Sequence, residues 1–369
     1  MKPIFSLLLL LALLNCRAQT PSPAPLPSRP AMPSAAPTPV SGAAASHEKS
    51  LSELTAEVAD LQEKATLWER ILARLPRISG YVQTGYEWSE RASTFFVKRA
   101  RLCLAGDITP KIDYRMQVEF VSPRLVDLFV RYRPFDALNI QVGEFKIPFS
   151  IENTDYPPLR LELIDYPLAL RRLMGYSDLC GLSATGRDLG AQLYGGFWKR
   201  DGFCVLNYNV GVFNGEGLNI RDRNRSKDFA ARLTLCPARG LLLSGSYYWG
   251  EYGDDYLRRI RYGAGACYDR GSAVLRGEWI GGRTGELESD GWYALAGWRA
   301  TRSLMPVVRY DTFRESVLSD DARQTNYTAG LLWQPVKYLR CQLDYTYEDY
   351  AFRAAENRSV VALLLTGIF

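Results

Sequence analysis

Arginine is the side chain through which this sequence is best equipped to act on a ligand. Arg99, Arg101, Arg115, Arg131, Arg133, Arg232, Arg261, Arg276, Arg299, Arg309 and Arg340 all stand in stretches where polar and apolar residues alternate. A guanidinium is a planar fork of donors that matches carboxylate and phosphate, and rings of such groups favour anions. The same polar faces carry Asp113, Glu119, Asp127, Asp188, Glu278, Asp311, Asp344 and Glu348. A hydrated, salt-bridged wall is therefore the alternative reading of any one of these charges. Enzyme chemistry has less to work with. His47 is the only histidine, which removes Ser-His-Asp and Cys-His nucleophiles, His-based metal sites and HExxH. Paired carboxylates suit glycoside hydrolysis, but no pair stands out. No enzyme activity, metal or cofactor is expected. The net charge of +5 is dispersed without long Lys/Arg runs, so nucleic acid is not an expected partner.

The elements that must position these arginines have a period of two. In "IDYRMQVEF", Ile112, Tyr114, Met116, Val118 and Phe120 fall on one side, and Asp113, Arg115, Gln117 and Glu119 on the other. "VDLFVRYR" and "YLRCQLDYTYE" repeat the pattern, and aromatics such as Trp88, Tyr132, Trp298, Tyr310 and Trp333 sit near segment ends. About sixteen such segments of roughly ten residues follow Ile78, joined alternately by short turns ("PFDA", "QPVK") and mostly longer polar loops ("GGRTGELESDG"). A bilayer admits a sheet only when it closes on itself, because every backbone N–H and C=O must pair there. Strands of this length match a tilted crossing, with apolar residues toward lipid and charged residues toward a wet lumen. The pattern thus predicts an all-β protein, a sixteen-stranded antiparallel transmembrane barrel over 77–369, in the bacterial outer membrane and surrounded by its lipid. Phe369 then ends the closing strand on the face of Val361, Leu363, Leu365 and Gly367. A terminal aromatic after alternating apolar residues resembles the signal read by barrel-assembly machinery, an expected partner.

The residues before the barrel divide into three. Residues 1–18 form an export signal: a lysine, then about ten apolar residues, too few for a helix to span a membrane. The lipobox-like "LLNC" offers acylation at Cys16 as the alternative. Residues 19–46 are a Pro/Ala-rich linker, unable to form helix or sheet at that proline density. Within 47–75, Leu51, Leu54, Val58, Leu61, Ala65, Trp68, Leu72 and Leu75 keep the 3-4 spacing of a coiled-coil seam, so a short oligomerisation helix is expected, periplasmic and ended by Pro76. The six cysteines after the leader have no framework spacing and suit packed thiols better than disulfides.

Four stretches carry a family resemblance: "VKRARLCLAGDI" (97–108), "VGEFKIPFSIE" (142–152), "GRDLGAQLYG" (186–195) and "VGVFNGEG" (210–217). They resemble segments of the phosphate-selective porin O and P family. The resemblance implies a homotrimeric, sixteen-stranded anion porin with its third outer loop folded into the pore. The strand pattern independently leaves about forty residues, 147–186, between the fifth and sixth strands, a length that is usually functional. Arg160, Arg171 and Arg172 are the candidates for a constriction there, with the strand arginines as the approach. Against them the loop holds Glu152, Asp155, Glu162, Asp165 and Asp178. A dedicated phosphate filter should be cationic at its narrowest point, so the resemblance carries architecture better than substrate. The expected function is passive diffusion of small hydrophilic solutes, anions or phosphate among them. The alternative is an outer-membrane anchor whose long arm reaches the cell wall.

Overall fold

A computed structural model describes residues 56–64, 75–182, 185–319, 322–351 and 355–369. The leader and linker lie outside the described residues, as do Leu51, Leu54, Trp68 and Leu72 of the expected coiled coil. Residues 56–64 are helical and exposed, Val58 and Leu61 among them. Leu75, the last seam position, is exposed as well.

Sixteen strands follow: β1 (Arg77–Ser89), β2 (Ser93–Thr109), β3 (Ile112–Glu119), β4 (Arg124–Phe135), β5 (Leu138–Lys146), β6 (Arg187–Arg200), β7 (Phe203–Phe213) and β8 (Asp228–Ala238) make the first half. The second half is β9 (Leu241–Tyr252), β10 (Leu257–Arg270), β11 (Ala273–Thr284), β12 (Leu287–Trp298), β13 (Leu304–Arg314), β14 (Arg323–Val336), β15 (Leu339–Tyr350) and β16 (Arg358–Ile368). Each pairs antiparallel with its sequence neighbours, and β1 pairs with β16, so the sheet is a closed barrel with no free edge. The chain's last residue makes the closure. Gly80 N–H donates to the Phe369 carbonyl at 2.8 Å, and Phe369 N–H returns to the Gly80 carbonyl at 3.0 Å. Only glycine fits opposite that ring, since a Cβ on residue 80 would lie 2.5 Å from both the Phe369 ring and the Arg101 carbonyl oxygen.

The outer face is apolar, as the alternation requires: Val82, Leu128, Val130, Val142, Leu275, Val308 and Phe369 are exposed there. Outward aromatics touch in rows near the loop rim, Tyr262 with Trp279 at 5.3 Å, and Trp292, Tyr310 and Tyr327 in succession at 4.8 and 5.3 Å. Such rows are the interfacial girdle of a membrane barrel.

One loop expectation fails. "GGRTGELESDG" is not a long connection: β11 runs through Thr284, the turn is Gly285–Glu286, and β12 resumes at Leu287. Gly285 takes the positive φ (+58°) that so tight a hairpin needs. The strands continue where the apolar code has stopped, and the outward residues Asp290 and Arg314 pair at 2.8 Å instead of meeting lipid.

The buried apolar core lies inside the barrel and belongs to the connection between β5 and β6. This loop contains two short helices, Ile151–Asp155 and Leu168–Leu173. Phe149, Ile151, Tyr156, Leu161, Leu168 and Leu170 pack with the inward-facing Phe145, Phe213, Tyr248, Ile280 and Phe313. Leu163 joins Val274, Tyr293 and Leu295, while Ile164 joins Ala362, Leu364 and Phe96.

Candidate functional site: a lumen divided by its inward loop

Five arginines and four strand carboxylate or amide side chains fasten the loop to the wall formed by β8–β15. Arg276 is wholly buried and bridges Glu152 (2.8 Å) and Glu162 (2.6 Å), with its guanidinium 3.6 Å from the centre of the Tyr156 ring. Arg232 holds Asp155 at 2.5 Å. Arg309 donates to the Asp165 carbonyl at 2.6 Å and is steadied by Asp311 at 2.6 Å. Arg340 donates to the carbonyls of Leu159 and Leu161, and Arg261 to that of Leu173 at 3.0 Å. Asp344 accepts from Ile164 N–H at 2.7 Å and Asp311 from Leu168 N–H at 3.2 Å. Glu278 accepts from Ser150 Oγ at 2.6 Å, and Gln342 donates to the Leu161 carbonyl at 3.1 Å. Paired, buried and hydrogen-bonded charges of this kind fix a position but are costly to leave half-made.

On β3 and β4 the arginines are also paired but much wetter. Arg131 and Arg133 share Asp113 at 2.7 and 2.8 Å, and Arg115 meets Asp127 at 3.4 Å. Their side chains remain 36–43 % exposed, against none for Arg276. Arg101 is buried on Glu119 (2.8 Å), and Arg99 donates to Gln83 at 2.9 Å. This wall faces a cavity of about 700 Å³ that opens toward the rim carrying Gly80 and Phe369. Arg101, Arg115, Arg131, Lys146, Arg187 and Arg232 line it, with only Asp127 and Asp155 opposing them.

The three loop arginines do not converge. Arg160 is exposed over the Tyr156 ring at 5.5 Å and lines a second cavity, about 660 Å³, beside Asp155, Arg239 and Asp269. Arg172 pairs with Glu315 at 2.8 Å. Arg171 is half-buried in a third cavity of about 240 Å³ near the loop rim, with Asp165, Glu348 and Arg358.

Three buried or half-buried cations, Lys98, Lys146 and Arg187, escape sequence parity, and a fourth, Arg259, shares the inward parity of Arg261. The register of β1 and β2 skips a residue between Val97 and Arg99, so Lys98 sits in a bulge and turns inward to Asp165 at 2.7 Å. Lys146 and Arg187 flank the loop and read as strand ends: Arg187 pairs with Asp127 at 2.8 Å, and Lys146 donates to the Asn153 carbonyl at 2.5 Å. Arg259 pairs with Asp228 at 3.0 Å. In the loop, burial by itself would raise the Asp165 pKa, but Lys98, Arg171 and Arg99 outweigh it and hold the carboxyl below its ordinary value. Burial pushes the Tyr176 phenol up to about 12, so it stays a donor and gives its proton to Asn153 Oδ1 at 2.7 Å.

The motifs that suggested a family meet where the loop leaves and rejoins the wall. Ile147 N–H donates to the Gly186 carbonyl at 2.9 Å, closing the loop's base. Asn153 donates to both Ile147 and Gly186 carbonyls, at 3.0 and 3.1 Å. Gly186 has φ +68°, and a Cβ there would lie 2.2 Å from the Asn153 side chain. Asp188 of "GRDLG" accepts from Gly215 N–H of "FNGEG" at 2.6 Å, and Glu144 of "GEFK" accepts from Asn219 N–H at 3.0 Å. These residues build the loop's hinge rather than a ligand cage.

A closed sixteen-stranded barrel whose lumen is narrowed by the connection after its fifth strand is a porin-type barrel. The family model of phosphate-selective porin O and P matches residues 80–259, so that stretch of the chain is similar to this family. Solved structures share the fold at low identity. The anion-selective porin from Comamonas acidovorans aligns with TM-score 0.61 and 14% identity, covering 80% of this chain and 99% of that one. The trimer form of OmpT from Vibrio cholerae aligns with TM-score 0.58 and 10% identity (80% and 99%). The outer membrane channel DcaP of Acinetobacter baumannii gives 0.56 and 11% (80% and 97%). A search of curated proteins finds no sequence match.

Proposed function

We propose that this protein is an outer-membrane diffusion pore for small hydrophilic solutes, with a preference for anions set by the β2–β6 wall. The observation that carries the preference is the lining of the large cavity, where the Arg115 and Arg131 side chains are 41% and 36% exposed while their partners Asp127 and Asp113 are only 9% and 5% exposed. Low-dielectric walls around a narrow wet lumen focus the field of such exposed cations. Arg115 and Arg131 are the principal selectors in this reading, because they are paired and yet remain open to solvent. Arg160 and Arg171 contribute from separate cavities, and Arg172 from its ion pair with Glu315, rather than as one filter. The anion-selective and trimeric neighbours support this assignment and a homotrimer. The helical 56–64 segment, with Val58 and Leu61 exposed, supports a periplasmic coiled coil that joins the copies. Phe369 at the closing strand supports recognition by barrel-assembly machinery.

The test is the reversal potential of single channels in a planar bilayer under a KCl gradient, on protein that runs as a heat-modifiable trimer. A chloride-selective potential is expected. A cation-selective or null potential would overturn the preference, and absence of conductance would overturn the pore.

A further inference from the structure

Five residues on five adjacent strands form one row across the wall of the large cavity. Arg131 on β4 stands opposite Gln141 on β5, Gln141 opposite Gln192 on β6, and Asn209 on β7 opposite Arg232 on β8. Asn209 joins Gln192 diagonally, its amide donating to Gln192 Oε1 at 3.5 Å, and Gln192 Nε2 donates to Gln141 Oε1 at 3.3 Å. All five line the cavity of about 700 Å³, a volume within the range of small-molecule sites. Along the wall the row is cation, three amides, cation, and its two ends differ. Arg232 is 6% exposed and is committed to Asp155 and Ser244. Arg131 gives its Nε to Asp113, and its side chain is still 36% exposed.

The amides call for a different solute chemistry from the arginines. A guanidinium only donates, so any small anion satisfies it, whereas an amide both donates and accepts. Chloride or a simple carboxylate gives nothing to an amide oxygen, but a hydroxyl serves both halves of the amide. The hydrogen bonds among these amides run one way, so the chain ends in the Gln141 nitrogen on the Arg131 side and in the Asn209 oxygen on the Arg232 side. An open arginine followed by amide donors and acceptors matches a carboxylate followed by hydroxyls. At about 4.8 Å per strand, the stretch from Arg131 to Asn209 is roughly 14 Å long. Gln141 and Gln192 are only 7% and 8% exposed, so packing holds the strip in place and little freedom is lost on contact. Tyr194, two residues after Gln192 on β6, adds an aromatic ring to the same lining, and Pro157 and Pro158 of the inward loop add apolar surface. A sugar ring has the matching form, with hydroxyls at its rim and C–H groups on its faces.

We infer that this strip is a binding site for hydroxylated carboxylates, that is sugar acids, which set the carboxylate on Arg131 and their hydroxyls along Gln141, Gln192 and Asn209. The inference rests on the proposed function above and names the class of anion that the pore favours.

The experiment is ion-current blocking in single-channel recordings of the full, heat-modifiable barrel in KCl, with D-glucuronate, cyclohexanecarboxylate and D-glucose as the added solutes. Glucuronate is expected to interrupt the current at about tenfold lower concentration than cyclohexanecarboxylate, whose ring leaves the amides without partners. Glucose, which lacks the carboxylate, is expected to need a higher concentration than glucuronate as well. Gln192→Met is expected to bring the two carboxylates within about threefold of each other, and Asn209→Ala to move them the same way by less. Equal blocking by the two carboxylates in wild type, glucose as effective as glucuronate, or an unchanged ratio in a folded Gln192→Met barrel would overturn the site. The wild-type comparison decides by itself if the variants do not fold. A chloride-selective pore that fails to tell the carboxylates apart overturns the site and leaves the proposed function standing, whereas a wild-type barrel that does not conduct overturns both.

Discussion

The two sides of this lumen use the same amino acid for different ends. On β8–β15, arginine is a fastener: Arg276, Arg309 and Arg340 are buried and spend their donors on the loop. On β3 and β4, Arg115, Arg131 and Arg133 are paired along the wall and keep about two fifths of their side-chain surface exposed. The difference teaches that counting arginines on an inward face does not measure the field felt by a solute. What counts is whether the partner is a buried loop group or a neighbouring strand residue with water beside it. A dry pair is locked by the cost of leaving either charge alone, and a wet pair contributes little stability but retains its field.

The largest effect is expected from the most buried fastener. Arg276→Met leaves Glu152 and Glu162 unpaired in the core, and breaking a buried pair costs about 3–5 kcal/mol. The temperature at which the folded barrel converts to the slow-migrating form on a gel should fall clearly. Conductance should rise and become noisier as the loop loosens. An Arg276→Met barrel with wild-type heat stability and conductance would break the comparison, because the dry half would then hold nothing.

The mirror experiment is smaller in stability and larger in selectivity. Arg115→Gln with Arg131→Gln removes two wet cations whose partners, Asp127 and Asp113, retain Arg187 and Arg133. Stability should change by about 1 kcal/mol or less. The reversal potential in a KCl gradient should shift toward cations. If selectivity is unmoved while heat stability drops, the β2–β4 arginines are fasteners too.

Most of the barrel was legible in the sequence because a strand's period of two is a local property. The alternation in "IDYRMQVEF" is the alternation observed in β3, and the closing role of Phe369 follows from where the last strand must end. The division of labour among arginines was not legible. Parity assigns Arg131 and Arg276 to the same inward class; only the fold brings Glu152 and Glu162, more than a hundred residues away, onto Arg276. Lys98 was hidden by a bulge, since one extra residue reverses parity. The β11–β12 hairpin was mistaken for a loop because above the lipid belt a strand no longer needs apolar residues. The family motifs pointed to architecture and not to a filter for a reason now visible: "GRDLG" and "FNGEG" are bonded to each other at the base of the loop.

The smallest effect separates the Lys98–Asp165 pair from ordinary surface carboxylates. Lys98, Arg171 and Arg99 hold the Asp165 pKa below its ordinary value against the opposing effect of burial, and a free Asp titrates near about 3.9. A carboxyl depressed in the folded state contributes its pairing at all pH values above the unfolded pKa, and that contribution is lost only as pH falls through the depressed folded value. The Lys98–Asp165 pair should therefore stay formed from neutral pH down to about pH 4. Absolute conductance also reports every other titrating group of the lumen, so a ratio is the better quantity. The ratio of Asp165→Asn to wild-type conductance cancels them, and it should be constant between pH 7 and about pH 4.5. A ratio that falls to one within that range would mean that acid alone opens the wild-type pair. Asp165 would then be an ordinary exposed carboxylate, and the loop would lose its ion pair to β2 on mild acidification.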